Sequence, residues 1–181
     1  MCIRDRRKSC LIHSRKQNMT KNINRKGQTR LNPFFEPYNT PHETIPFDKI
    51  TLADYEEAML EGIRREDEQI EKTINDPEEP TFENTLIRED EVKGRKHYYD
   101  LLSRVESAFF NMLSAETNDE MDALAQKMNP ILTKHANDVS LNPKLFERIK
   151  AVYNKHRELT PEENKLLEES YDGFVRSGAL L

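Results

Sequence analysis

Five histidines could ligate a metal or carry a proton in this chain: His13, His42, His97, His135 and His156. A His-Glu-x-x-His segment on a helix sets two imidazoles one turn apart around a metal ion, with the glutamate between them activating a water. No two of the five histidines are four residues apart. The sole His-Glu pair is His42-Glu43, and Pro46 stands where the second histidine would be needed. His135 falls on the apolar side of a predicted helix, so it reads as a hydrogen-bonded core histidine and not as a ligand.

The other reactive side chains offer little more. Glu66-Asp67-Glu68 and Glu89-Asp90-Glu91 are runs whose carboxylates rotate around a helix, so they read as solvated faces that do not converge on one substrate atom. Ser114 and Ser170 have no nucleophile-elbow pattern around them and read as helix-surface or helix-end residues, and no phosphate-binding glycine loop is present. Cys2 and Cys10 both lie near the start, leaving the body without a disulfide framework or thiolate site. No catalytic, cofactor-binding or metal-binding residue is therefore assigned within the chain.

The elements that would have to position any chemistry are helices. From Asn32 to Phe47, Pro33, Pro37, Pro41 and Pro46 disfavour helix, and the aromatic residues Phe34, Phe35, Tyr38 and Phe47 call for a surface to cover them. Thr51 and Asp54 stand at capping-box spacing, and Leu52, Tyr55, Met59, Ile63, Ile70 and Ile74 then share one face, predicting a helix to about Asn75. Pro77 and Pro80 close that helix, and Thr81 opens a second stretch expected to reach about Glu91, with a break or kink at Gly94. Tyr98, Leu101, Leu102, Val105, Phe109, Met112 and Leu113 form the stripe of a third; the spacing leaves open whether it continues the second. Thr117 with Glu120 predicts the next start, on a stripe from Met121 through Ile131, Leu132 and His135 to Val139, with a kink near Asn129 from Pro130. Asn142-Pro143 and Thr160-Pro161 with Glu163 are two further helix starts, Gly178 is the natural stop, and no strand pattern is visible after Phe47.

Composition agrees with this outline. Hydrophobic residues make up 35% and charged residues 34% of the 181, as in amphipathic helices with well-solvated outer faces. With a mean hydropathy of −0.89 and no long apolar run, neither a membrane span nor a secretory leader is predicted, and a cytoplasmic protein is the default. The net charge of −5 is uneven: residues 1–30 hold ten of the 28 basic and one of the 33 acidic residues, a net of +9. The remaining 18 basic and 32 acidic residues give −14, which argues against nucleic acid as a partner of the body. Met1-Cys2-Ile3-Arg4-Asp5-Arg6 resembles the translation of ATGTGTATAAGAGACAG, a transposon end used as a sequencing adapter, so residues 1–18 are expected to be a non-native or disordered basic arm with Met19 as the true start.

One segment is written with more specificity than its local task requires. In Pro77-Glu78-Glu79-Pro80-Thr81-Phe82-Glu83-Asn84-Thr85-Leu86, capping needs only a short polar residue before an apolar run, yet Phe-Glu-Asn-Thr-Leu follows. It resembles a segment near the front of the M3 zinc metallopeptidases, the group of the peptidyl-dipeptidases and oligopeptidases. Asn32-Pro33-Phe34-Phe35, Pro46-Phe47-Asp48-Lys49-Ile50, Phe109–Asn118, Leu141–Phe146 and Tyr171–Ala179 resemble the same family in the same order. The resemblance runs from about Asn32 to the last residue. It implies an all-α fold: residues 19–47 as a polar and then Pro- and aromatic-rich extended leader, and 48–181 as the multi-helix N-terminal portion of a larger, mostly helical peptidase.

What that resemblance implies about function is equally specific. The family hydrolyses short peptides with zinc held by a His-Glu-x-x-His helix, which lies well downstream of the part matched here. This chain is expected to be inactive alone, to form one wall of the substrate channel, and to pack against the missing C-terminal catalytic portion. Release of dipeptides and internal cleavage are both open on these residues. The alternative is a freestanding helical protein-interaction module. The expected stability of the isolated chain is marginal, because the leader and the helical stripes offer more apolar surface than so short a bundle covers.

Overall fold

The computed structural model describes residues 22–23, 29–87, 90–92, 95–97, 101–155 and 159–180. The chain divides into two compact units, Met1–Asn32 and Pro33–Leu181. In the first, β1 (Asn22–Ile23) and β2 (Thr29–Arg30) pair antiparallel with Ile23 opposite Thr29. The basic arm expected over residues 1–18 lies outside the described residues.

The second unit opens with three single turns of 3-10 helix, Pro33–Phe35, Pro41–Glu43 and Phe47–Lys49. Among the described residues six α-helices follow: α1 (Leu52–Ile74), α2 (Phe82–Leu86), α3 (Leu101–Ala115), α4 (Asp119–Ser140), α5 (Pro143–Lys155) and α6 (Pro161–Arg176). The all-α class expected from the sequence holds. Between α2 and α3, β3 (Asp90–Val92) and β4 (Arg95–His97) make a short antiparallel ladder with Glu91 opposite Lys96. This corrects two expectations, that helix would reach Glu91 and that no strand follows Phe47. The physical reason is the lack of an apolar stripe beyond Leu86: a charged stretch gains nothing from helix packing, and Ile87 has already turned extended at ψ 108°.

The helix starts follow their caps. Thr51 accepts from the Asp54 N–H at 3.4 Å, and the Thr51 N–H donates back to Asp54 Oδ2 at 2.7 Å, the reciprocal box that satisfies two orphan donors. Thr160 and Glu163 repeat it for α6, and Asn142 Oδ1 accepts from the Lys144 and Leu145 N–H groups at 3.1 Å for α5. For α4 the cap is one residue later than predicted. Asn118 Oδ1 takes the Met121 N–H at 2.9 Å, while Thr117 Oγ1 donates instead to Asp122 Oδ1 at 2.8 Å. Helix α4 runs without interruption through Pro130, and Gly178 ends the last turn at φ 99°.

Two apolar cores form from these stripes. The first gathers Phe34, Tyr55, Met59, Leu101, Val105, Phe109, Met128 and Leu132 with their neighbours. Phe34, Tyr55 and Phe109 meet in tilted pairs 5.3 and 5.2 Å apart, the geometry that aligns ring edge with ring face. The second core joins Ile70 and Phe82 to Leu145, Phe146, Ile149, Val152, Leu167 and Phe174. The leader needs less outside cover than the sequence suggested. Phe34 is 0% exposed, Phe35 and Tyr38 pack against the first core, and Phe47 alone among those four aromatics is open, at 46%.

The phenol oxygen of Tyr38 is buried and finds no hydrogen-bond partner among the described residues. Burial raises its pKa above the usual 10.0, with Arg104 offsetting part of the effect, and Tyr55 is raised by burial and by Tyr38. Both phenols are thus held neutral in the fold and ionise more easily when it opens. Their contribution to stability is complete below the unfolded pKa near 10.0 and is lost as pH rises through the raised folded values. Tyr38→Phe is expected to soften that alkaline loss and to leave stability at neutral pH equal or slightly higher, since it removes an unpaired polar atom. Urea midpoints between pH 7 and 11 check this; an unchanged alkaline limb with a clear loss at pH 7 would contradict it.

Candidate functional site

Of the surplus residues of the Thr81 segment, Phe82, Asn84, Thr85 and Leu86 are accounted for by packing and hydrogen bonding. Asn84 closes the capping box of α2, its Oδ1 accepting from the Thr81 N–H at 2.8 Å and its own N–H donating to Thr81 Oγ1 at 3.2 Å. The same Oδ1 takes Thr85 Oγ1 at 3.0 Å and Arg148 Nη2 at 3.2 Å, and Asn84 Nδ2 donates to the Glu79 carbonyl at 3.1 Å. Arg148, reaching over from α5, also donates through Nη1 to the carbonyls of Asp76 (2.9 Å) and Glu78 (3.4 Å). Phe82 enters the second core. Phe82 and Asn84 thus fasten the α1–α2 connection onto α5.

The candidate reactive residues are placed as follows. His135 is buried in α4, with Nε2 3.0 Å from Glu66 Oε2 and Nδ1 3.4 Å from Asp67 Oδ1, so α4 and α1 are tied by a polar contact beside the cores. The run at Glu66 was expected to be wholly solvated; instead two of its carboxylates turn toward one imidazole, because α4 crosses α1 there. His42 and Glu43 sit at φ 57° and 56° in a 3-10 turn, a left-handed backbone that cannot present them as ligands on a helix. Ser170 Oγ donates to the Leu166 carbonyl at 2.8 Å, the back-bond of a helix-surface serine. His13 and His156 lie outside the described residues. Among the described residues, no group of three or more His, Cys, Asp or Glu could hold a metal ion, and no helix is long and apolar enough to cross a membrane.

A cavity of about 730 Å³ draws on all six described helices. Its apolar lining includes Leu102, Leu132, Ile149 and Phe174; Glu66, Glu106 and Glu169 line it as well, and His135 stands beside them. No local pattern in the chain marks it, because its walls come from segments more than 100 residues apart. Ile131, expected on a buried stripe, is 38% exposed, and Leu166, 44% exposed, lines the cavity.

The features so far define a helical scaffold that builds two cores and a groove and displays no hydrolytic constellation among the described residues. Comparison with known proteins places that scaffold. The chain is 35% identical over 152 residues to a dipeptidyl carboxypeptidase of Salmonella typhimurium, a stretch that is 83% of this chain and 22% of that protein. It is 34% identical over 155 residues to the dipeptidyl carboxypeptidase of Escherichia coli, covering 84% of this chain and again 22% of the relative. No family model matches. The chain thus spans about a fifth of the length of the curated relatives it matches and is similar to part of these dipeptidyl carboxypeptidases.

Proposed function

We propose that the chain is the N-terminal part of a zinc-dependent M3 metallopeptidase of the cytoplasm that hydrolyses short peptides. Its own contribution is a wall of the substrate channel, packed against a C-terminal catalytic portion. The observation that carries this is the match to two dipeptidyl carboxypeptidases along 83% and 84% of the chain. The residues described here do not fit a catalytic zinc, since they offer no ligand cluster. The metal and the base that serves it belong to the remaining length of such an enzyme, and the share of this region is shape.

The chain alone is therefore expected to show no chelator-sensitive cleavage of quenched-fluorescent peptides, whereas the longer protein that contains it cleaves them. Metal-dependent turnover by the chain alone would refute the proposal. A second reading has one observation in its favour, namely that Pro33–Leu181 closes two cores from its own residues. It is a freestanding helical protein-interaction module, and failure of the longer protein to cleave peptides would favour it.

A further inference from the structure

Tyr153 of α5 and Tyr171 of α6 stack face to face, with ring centroids 4.2 Å apart and planes 10° from parallel. Both residues are half-buried, so small solutes can reach them. The stack continues into phenylalanines: Phe146 lies 5.6 Å from Tyr171, and Phe174 lies 5.8 Å from Phe146. A phenylalanine ring has no phenol proton to lose and does not compete for a phenoxyl radical. The other two tyrosines among the described residues are placed differently. Tyr55 is 6% exposed and shielded from an external oxidant, and the buried Tyr38 oxygen has no hydrogen-bond partner there to take its proton. The chain contains no tryptophan to draw the radical away.

We propose that Tyr153 and Tyr171 form a site of oxidative modification, where a one-electron oxidant of the peroxidase type joins α5 to α6 through a dityrosine bond. Each phenol gives one electron to the oxidant and its O–H proton to water, leaving a phenoxyl radical with spin on the ring carbons ortho to oxygen. The two radicals couple through one ortho carbon each and form one C–C bond. The hydrogens on those carbons then move to the oxygens and restore two phenols, so the product has lost two hydrogens in all. Because the rings are already in contact, the coupling is an intramolecular step and needs no encounter between chains. The bond would span 171 − 153 = 18 residues and constrain the unfolded chain as a disulfide across such a loop does.

The test is brief illumination of the full chain with a ruthenium polypyridyl complex and persulfate, which accepts the electrons. Cys2 and Cys10 are changed to serine, because thiols repair phenoxyl radicals. A monomeric product with dityrosine fluorescence is expected, its peptide map joining Tyr153 to Tyr171 and its yield independent of protein concentration. Tyr153→Phe and Tyr171→Phe keep the rings and are each expected to lower that yield about tenfold, as is unfolding the chain in urea beforehand. The cross-linked chain is expected to melt about 5 °C or more above the untreated one. Absence of dityrosine, a main product that joins other tyrosines or two chains, or a yield that urea leaves unchanged would each overturn the proposal.

Discussion

Replacing Arg148 with methionine is expected to cost the chain about 2–4 kcal/mol, the range for removing one partner of a buried charged network. The side chain is 11% exposed and holds two carbonyls and an amide oxygen, with the Asp76 carboxylate 3.7 Å away. Methionine keeps much of the volume and none of the donors, so the Asp76 and Glu78 carbonyls and Asn84 Oδ1 lose a partner that the neighbouring backbone cannot replace. Lysine should rescue only part of the loss, because one ammonium does not reproduce a fork that spans three acceptors. The Lys155–Glu79 bridge beside it is exposed at both ends and should matter little when removed. Urea denaturation of the three variants checks the order; equal losses for Arg148→Met and Lys155→Met would show that the network is not the fastener described.

Gly62→Ala is the second large effect, and its sign opposes helix propensity. Alanine favours a helix by about 1 kcal/mol over glycine, so an uncrowded position gains from the change. At position 62 the new carbon would lie 2.8 Å from Leu102 Cα and 2.9 Å from its N and Cβ. Two of those atoms are backbone, so no rotamer change relieves the clash and α1 must move off α3. Overpacking of this kind costs about 1–3 kcal/mol, and serine or valine should be worse than alanine. A melting temperature that falls for Gly62→Ala and rises for Gly173→Ala, whose added carbon inside α6 meets no described atom within 4 Å, would separate crowding from propensity within one protein. A rise in both would mean that α1 and α3 do not approach as closely as described.

Those two glycines also show how far the sequence could be read. Each sits in a helical pattern among charged and apolar neighbours, and nothing local distinguishes the one crossed by another helix from the one facing open space. Helix starts were legible because capping chemistry is complete within four residues, as at Thr51, Thr81, Asn142 and Thr160. The end of α2 was not, because β3 and β4 exist through pairing and not through composition. Arg148 lies on the same helical face as Leu145, Ile149 and Val152, and a cation inside an apolar stripe is the signal that could have marked it. The polar tie at His135 was half legible: its apolar position predicted a buried, hydrogen-bonded ring, but Glu66 and Asp67 are named only once α4 is laid across α1. The cavity was not legible at all.

Helix α1 contributes Tyr55, Ala58 and Met59 to the first core and Ile70 to the second, and α4 likewise sends Met128 and Leu132 to one and Val139 to the other. At 1.5 Å per residue, 23 residues make α1 a rod of about 35 Å. The two cores are therefore threaded on shared rods, and their order in space does not follow the order of the chain. A recombination point placed between the end of α1 and the start of α4 would divide both cores and hand a descendant the whole of neither. What evolution can copy, fuse or transplant intact is the stretch from Phe34 to Ala179 taken as one piece.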